Sequence, residues 1–141
     1  MAEGTYVLPL PTPQPETDFY WQKAKAHELW LMRCQSCGGT YFYPRPICPQ
    51  CLSRDTTWVQ SSGRGTLYAF SVVQRAPTGA FRGVVPYVAA LVELEGGVRL
   101  PTNLVDVEPD PAGIKIGMAL EAVFEDVTDE ITLVKFRPAR T

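Results

Sequence analysis

"RCQSCGGTYFYPRPICPQCLS", residues 33–53, contains every cysteine of the chain, as two C-x2-C pairs with ten residues between them. Gathering all four thiols of 141 residues into so short a stretch leaves two uses. They form a pair of disulfides, or they converge as one tetrathiolate metal site. The choice decides how the first third of the chain folds.

A C-x2-C turn brings two sulfurs onto one ion and leaves neighbouring backbone amides free to hydrogen-bond the thiolates. Cys34 and Cys37 form one such knuckle, and Cys48 and Cys51 the other. The opening "MAEGTYVLPLPTPQPETD" has neither the basic stretch nor the apolar run of a secretory leader. No apolar run approaches the roughly 20 residues that span a bilayer. The expected address is therefore cytoplasmic, where disulfides are rare and paired cysteines more often hold metal. Four sulfurs in tetrahedral array suit Zn²⁺ as a closed, structural site with no open position for substrate. Iron in a rubredoxin-like site uses the same ligands. Against iron, "CPQCLS" lacks the glycine that commonly follows the last cysteine of such redox knuckles. Zinc is favoured over iron, and iron over disulfides. Between the knuckles, "GGTYFYPRPI" reads as a short β-hairpin, with Gly38 and Gly39 to turn and Tyr41, Phe42 and Tyr43 to form strand. The stretch reads as a zinc ribbon.

Upstream, Pro9, Pro11, Pro13 and Pro15 alternate, so residues 1–16 form an extended arm that cannot be helical. "TDFYWQKAKAHELW" then offers Thr17 or Asp18 as N-cap to a run of good helix formers that carries His27. Phe19, Tyr20, Trp21 and Leu29 exceed what one short helix face absorbs, so part of that cluster packs on the ribbon or on another chain. "LWLMRC" reads as a strand entering the first knuckle.

Downstream, the pattern turns to β. "TTWVQ" and "GTLYAFSVVQR" are strands broken at Gly63 to Gly65. "VPYVAALVELE" and "VRLPTNLVDV" follow, joined by the hairpin signal Gly96-Gly97. "MALEAVFEDV" and "ITLVKFRP" are joined around Thr128 to Glu130. Five or six strands with no second long helix form an antiparallel sheet that closes on itself, most simply as a small OB-type barrel. The expected fold is mainly β: residues 17–58 as an N-terminal helix plus rubredoxin-like ribbon, and residues 59–141 as an OB-fold barrel.

The apolar share of 45% and charged share of 20% describe an ordinary globular chain. A net charge of −2 exerts no general pull towards nucleic acid. No G-x-S-x-G elbow, P-loop, H-E-x-x-H or dinucleotide fingerprint is present. With four thiols on metal and a single histidine, His27, no nucleophile–base pair remains, and no catalytic residue is assigned. Carboxylates gather at Asp106, Glu108 and Asp110 and again at Glu125, Asp126, Asp129 and Glu130, as solvated loops do.

In this order, the aromatic helix, "RCQSCGGTYFYPRPICPQC", "GRGTLYAFSVV", "VPYVAALVELEGGVRLPTNL", "IGMALEAVFED" and "FRPA" resemble the OB-fold, acyl-CoA-associated proteins that begin with a rubredoxin-like zinc ribbon. The resemblance runs from about Phe19 to Ala139. It implies an accessory subunit of a thiolase-like condensing or cleaving enzyme, an aldolase subunit or an acyl-CoA hydratase, working as a hetero-oligomer in lipid or steroid side-chain metabolism. Only the zinc ligands Cys34, Cys37, Cys48 and Cys51 carry over residue by residue. Acyl-CoA is a candidate ligand. Arg75 and Arg82 flank Phe81 in a loop flexed by Gly79 and Gly83. Such a loop suits coenzyme A phosphates through charge-assisted hydrogen bonds, or a protein partner. Single-stranded nucleic acid is the competing partner, since zinc ribbons and OB barrels bind it elsewhere. The acidic second half, with eight carboxylates against Lys115 alone between Asp106 and Glu130, argues against it. A rubredoxin-like redox carrier is the remaining alternative.

Overall fold

The computed structural model describes residues 8–140; the first seven residues of the proline arm and Thr141 lie outside the described residues. Among them, no helix is long and apolar enough to cross a membrane.

The helix α1 (Asp18–Lys25) starts after Thr17, which does not cap it. The Thr17 hydroxyl turns back instead, accepting from the Gln14 amide at 2.9 Å and donating to the Gln14 carbonyl at 3.2 Å. Asp18 in the first turn and Lys23 and Lys25 in the last match the sign of the helix dipole. The helix is shorter than its good helix formers allow. His27 stands beyond its end in the left-handed region, at φ 63°, rather than on the helix as expected. Tertiary demand explains the early stop. Leu29 is buried in the core, and its carbonyl accepts from the Ser61 amide at 2.8 Å, a geometry a continuing helix would forbid.

Three strands build the ribbon: β1 (Trp30–Cys34), β2 (Thr40–Tyr41) and β3 (Thr56–Gln60), in the order β2-β1-β3. The expected hairpin inside "GGTYFYPRPI" does not form. Instead β2 pairs back across the first knuckle, placing Met32 opposite Tyr41. Pro44 and Pro46, which lack amide donors, follow where a returning strand would have to run. On its other side β1 pairs with β3, from Trp30 opposite Gln60 to Cys34 opposite Thr56. The aromatic cluster is spent on this ribbon. Phe19 packs on Trp30 and Trp58 with ring centroids 5.4 and 4.6 Å apart. Tyr20 packs on Phe42, and the Trp21 indole donates to the Tyr43 hydroxyl at 3.0 Å.

The barrel has five strands: β4 (Arg64–Val73), β5 (Tyr87–Leu94), β6 (Arg99–Leu104), β7 (Ala119–Asp126) and β8 (Thr132–Pro138). Their order, β4-β5-β6-β8-β7 with β7 returning to β4, is a closed OB-type barrel. Val88, Ala90, Val92 and Leu94 alternate inward along β5, as a strand buried on one face requires. At Gly65 a Cβ would lie 2.5 Å from the Glu93 carbonyl oxygen, so only glycine lets β4 and β5 cross there. The β5–β6 turn uses three residues, Glu95–Gly97, rather than the two-residue loop expected. All pairs are antiparallel except β6–β8, a parallel contact of one register pair, Leu104 opposite Phe136. It is reinforced by the Val105 amide on the Phe136 carbonyl at 2.8 Å and the Thr102 hydroxyl on the Val134 carbonyl at 3.1 Å.

Ribbon and barrel share one apolar core, in which Tyr20, Trp21, Leu29 and Leu31 join Leu67, Val92, Leu100 and Phe136. A smaller cluster of Met32, Cys34, Tyr41 and Cys48, backed by Trp58, lies beneath the knuckles. A second tie extends from the β5–β6 turn, where Glu95 accepts the Ser61 hydroxyl, the Ser62 hydroxyl at 2.7 Å and the Ser62 amide at 3.2 Å. Burial works against the Glu95 carboxylate, but the Ser61 and Ser62 donors outweigh it and hold its pKa below the ordinary 4.5. A carboxyl whose folded pKa is depressed adds stability above its unfolded pKa and loses it as pH falls through the folded value. Glu95→Gln should therefore cost about 1–2 kcal/mol at pH 7, discounted for partial exposure. That difference from wild type should shrink as pH falls well below the ordinary 4.5. Thermal melts of both proteins across that range check it.

Candidate metal centre

The two knuckles are built alike. In the first, the Cys37 amide points at the Cys34 sulfur at 3.4 Å and the Gly38 amide closes the turn on the Cys34 carbonyl at 2.9 Å. In the second, the Gln50 amide points at the Cys48 sulfur at 3.4 Å and the Leu52 amide closes on the Cys48 carbonyl at 3.0 Å. The Ser36 and Ser53 hydroxyls join the knuckles at 2.8 Å. Gly38 and Leu52 occupy matching left-handed positions, at φ 78° and 65°. The leucine in "CPQCLS" thus adopts the same turn that glycine makes in the first knuckle, and its presence says nothing about which metal is bound. It is 74% exposed, so packing returns little for the backbone strain.

All four sulfurs lie within 4.8 Å of one another, with Cys34 3.5 Å from Cys51 and Cys37 3.7 Å from Cys48. Tetrahedral Zn–S bonds of about 2.3 Å place sulfurs about 3.8 Å apart. The donor set fits that ion, and the sulfurs stand well outside the roughly 2.05 Å of a disulfide. Cys34 and Cys48 are buried, whereas Cys37 and Cys51 are exposed at the edge of the site. The Cys37 amide, ahead of the Cys51 thiol, pulls the Cys34 pKa down to about 6 despite desolvation. Backbone donors led by Cys51 lower the Cys48 value as well. Backbone donors thus shift both inner thiols towards the thiolate form. Held by Cys34, Cys37, Cys48 and Cys51, a Zn²⁺ would supply cross-linking and charge neutralisation and would keep no position for a substrate.

The other candidate residues lie elsewhere. Arg75, Phe81 and Arg82 all belong to the β4–β5 loop, remote in sequence from the knuckles. The Gly79–Phe81 turn brings the Phe81 ring 5.6 Å from Tyr87, and both arginines are exposed and form no ion pair among the described residues. His27 holds α1 to the barrel: its Nε2 lies 3.1 Å from Asp126 Oδ1, and its ring stacks on Phe124 at 5.1 Å. The Thr132 hydroxyl, donating at 2.6 Å, and then His27 keep the Asp126 pKa below the usual carboxylate value. The carboxylate runs are not simply solvated loops. Glu125 and Asp126 end β7, Lys135 Nζ is 2.6 Å from Glu125, and Arg137 lies 2.8 Å from Glu121 and 3.8 Å from Asp106. Sequence spacing alone did not reveal these pairs, because the cations come from β8, a strand distant in sequence from Asp106 and Glu121.

Comparison with known proteins follows the same division. The model of the ChsH2 rubredoxin-like zinc ribbon domain matches residues 21–57, and that of the ChsH2 C-terminal OB-fold domain matches residues 58–125. The probable enoyl-CoA hydratase alpha subunit of Thermomonospora curvata is 40% identical over 93% of this chain, which spans only 40% of that subunit's length. A DUF35 domain-containing scaffold protein of Methanocaldococcus jannaschii is 42% identical over 78% of this chain and 77% of its own. Among solved structures, a chain of the Ltp2-ChsH2(DUF35) aldolase is 38% identical with a TM-score of 0.78, covering 93% of this chain and 100% of that one.

Removing one ligand should cost the metal more than the barrel. Cys37→Ser should bring zinc well below one equivalent and loosen residues 33–53, while the barrel strands, whose core contains none of the four cysteines, keep most strand signal. Metal analysis with circular dichroism checks this, and a mutant retaining a full equivalent and native melting counts against the four-sulfur site. Leu52→Gly should instead raise the melting temperature, because glycine relaxes the left-handed turn.

Proposed function

Since the chain belongs to the ChsH2 family of rubredoxin-like zinc-ribbon and OB-fold (DUF35) proteins, we propose that it is a non-catalytic accessory subunit that binds and supports a thiolase-like enzyme acting on acyl-CoA. The observation that carries this reading is the likeness, over the whole of that chain, to a component of the Ltp2-ChsH2(DUF35) aldolase. The hydratase alpha subunit and the archaeal scaffold protein among its relatives support the same role. An acyl-CoA hydratase is a second candidate enzyme for the complex, and lipid or steroid side-chain breakdown its metabolic setting. In this reading the helix and ribbon of residues 17–58 and the barrel of residues 59–141 act as one rigid support. Zinc at Cys34, Cys37, Cys48 and Cys51 is structural. The aromatic residues of α1 are packed against the ribbon, so a partner has no large ring cluster to cover there. The β4–β5 loop with Arg75, Phe81 and Arg82 is the candidate surface for a ligand or partner. Its cations are not neutralised within the described chain, and guanidinium groups are suited to phosphate.

Two measurements test this. Co-expression with a thiolase-like enzyme should give one co-eluting complex, and failure to form it removes the accessory reading. In that complex, Arg75→Ala with Arg82→Ala should weaken acyl-CoA binding by about 100-fold, at roughly 1.5 kcal/mol per charged contact, with melting unchanged. The wild-type affinity should fall with added salt, as contacts between exposed charges do.

A further inference from the structure

The four cysteines of the metal centre are unequally sheltered. Cys34 and Cys48 are buried with Met32 and Tyr41, backed by Trp58, whereas Cys37 and Cys51 are exposed. Their neighbours Ser36, Gly38, Gln50 and Leu52 are exposed as well, so a small reagent in solvent reaches the outer edge of the site without any opening of the ribbon. Each exposed sulfur also has a buried one beside it in the other knuckle. Cys51 lies 3.5 Å from Cys34, and Cys37 lies 3.7 Å from Cys48. The site has no reserve. Between Glu28 and Asp55 the sequence holds no histidine and no carboxylate, and His27 is engaged with Asp126. A sulfur withdrawn from the donor set therefore has no replacement nearby in sequence, and two sulfurs cannot hold Zn²⁺ as four do.

We propose that the ribbon is a site of reversible oxidative modification by peroxide, in which Cys37 and Cys51 react first and then close disulfides with Cys48 and Cys34 of the opposite knuckle. The thiolate of an exposed cysteine attacks one oxygen of hydrogen peroxide. An S–O bond forms, the O–O bond breaks, and the departing hydroxide takes a proton and leaves as water. The buried thiolate beside it then attacks the sulfenic sulfur, forming the S–S bond and expelling the second oxygen, which also leaves as water. Each pair of sulfurs thus gives two electrons to one peroxide and uses two protons. Both pairs are then lost as ligands, and the Zn²⁺ passes to solvent.

The pairing decides what the oxidised ribbon keeps. A bond across the knuckles ties the same two stretches that the metal ties, so Cys34 remains opposite Thr56 and β1 keeps its register with β3. A bond within one C-x2-C knuckle closes only its own short turn and leaves the two stretches unlinked. The buried partner also protects the exposed one. A resolving thiolate at 3.5 or 3.7 Å captures the sulfenic acid before a second peroxide takes it to the irreversible sulfinic acid. This inference rests on the metal centre and is independent of the accessory role.

The experiment is titration of the full zinc-loaded chain with hydrogen peroxide in the presence of a colorimetric zinc indicator, followed by mass-spectrometric mapping of the disulfides. Released zinc should rise to one equivalent while all four thiols become inaccessible to a maleimide. Circular dichroism should show the barrel strands retained, because their core contains none of the cysteines. Chymotrypsin cuts after Tyr41 and Phe42, between the knuckles, so cross-knuckle bonds leave the two cysteine peptides joined, whereas bonds within a knuckle leave them separate. In Cys51→Ser, peroxide should produce the Cys37–Cys48 bond and leave Cys34 open to the maleimide. Dithiothreitol with added zinc should restore one equivalent to the oxidised wild type. Zinc retained under a peroxide excess that oxidises free cysteine, knuckle peptides that separate on digestion, or oxidation that dithiothreitol does not reverse overturns the proposal. The wild-type map decides the pairing even where the serine variant fails to fold.

Discussion

Four sulfurs within 4.8 Å of one another are tolerable as thiolates only around a cation, and the first half of this chain is arranged on that condition. Beneath the knuckles there are only Met32, Cys34, Tyr41 and Cys48 with Trp58 behind them, too few apolar groups to hold three short strands together unaided. The knuckles supply what the core cannot. They fix Cys34 opposite Thr56, and that register runs without slip to Trp30 opposite Gln60. One residue further, the Ser61 amide reaches Leu29, and Leu29 and Leu31 enter the core shared with the barrel. A metal node at one end thus sets the angle at which the barrel begins at the other.

Much of this was legible because it depends on local rules. The C-x2-C spacing fixed the ligand set, and strict alternation in "YVAALVEL" marked β5 and its inward face. What escaped the sequence depends on which strands become neighbours. "GGTYFYPRPI" has the composition of a hairpin, yet β2 finds its partner in β1, already extended and short of an edge partner, before the prolines intervene. The good helix formers around His27 would extend α1, but the burial of Leu29 and the Asp126 carboxylate draw that segment off the helical path. The convergence of the four cysteines was legible in their spacing. The apolar cavity under the β4–β5 loop was not, since its walls come from four separate stretches and no spacing announces them.

Charge illustrates the same difference. The sequence shows an acidic second half, and counting predicts a repulsive surface. In the fold, Glu121 and Asp106 meet Arg137, Glu125 meets Lys135, and Asp126 meets His27 and Thr132. Arg137, ahead of every other contribution, holds the Glu121 pKa below the usual value. These carboxylates are largely turned to joining β7 with β8 and α1 with the barrel, and much of their field is cancelled locally.

Cancellation on that side changes the meaning of the arginines on the other. Arg75 and Arg82 are few, and the net charge of −2 would seem to submerge them. Screening limits what an exposed charge feels to about 8–10 Å, so the local pairing decides, and the net value does not. Asp106, Glu121 and Glu125 are engaged with their own neighbours, whereas the β4–β5 loop presents two guanidinium groups that form no ion pair among the described residues. The barrel core has already used the inward faces of its strands, and the ribbon has absorbed the aromatic residues of α1. This loop is one of the surfaces left uncommitted among the described residues, and its charge is the opposite of what the net charge of the chain as a whole suggests.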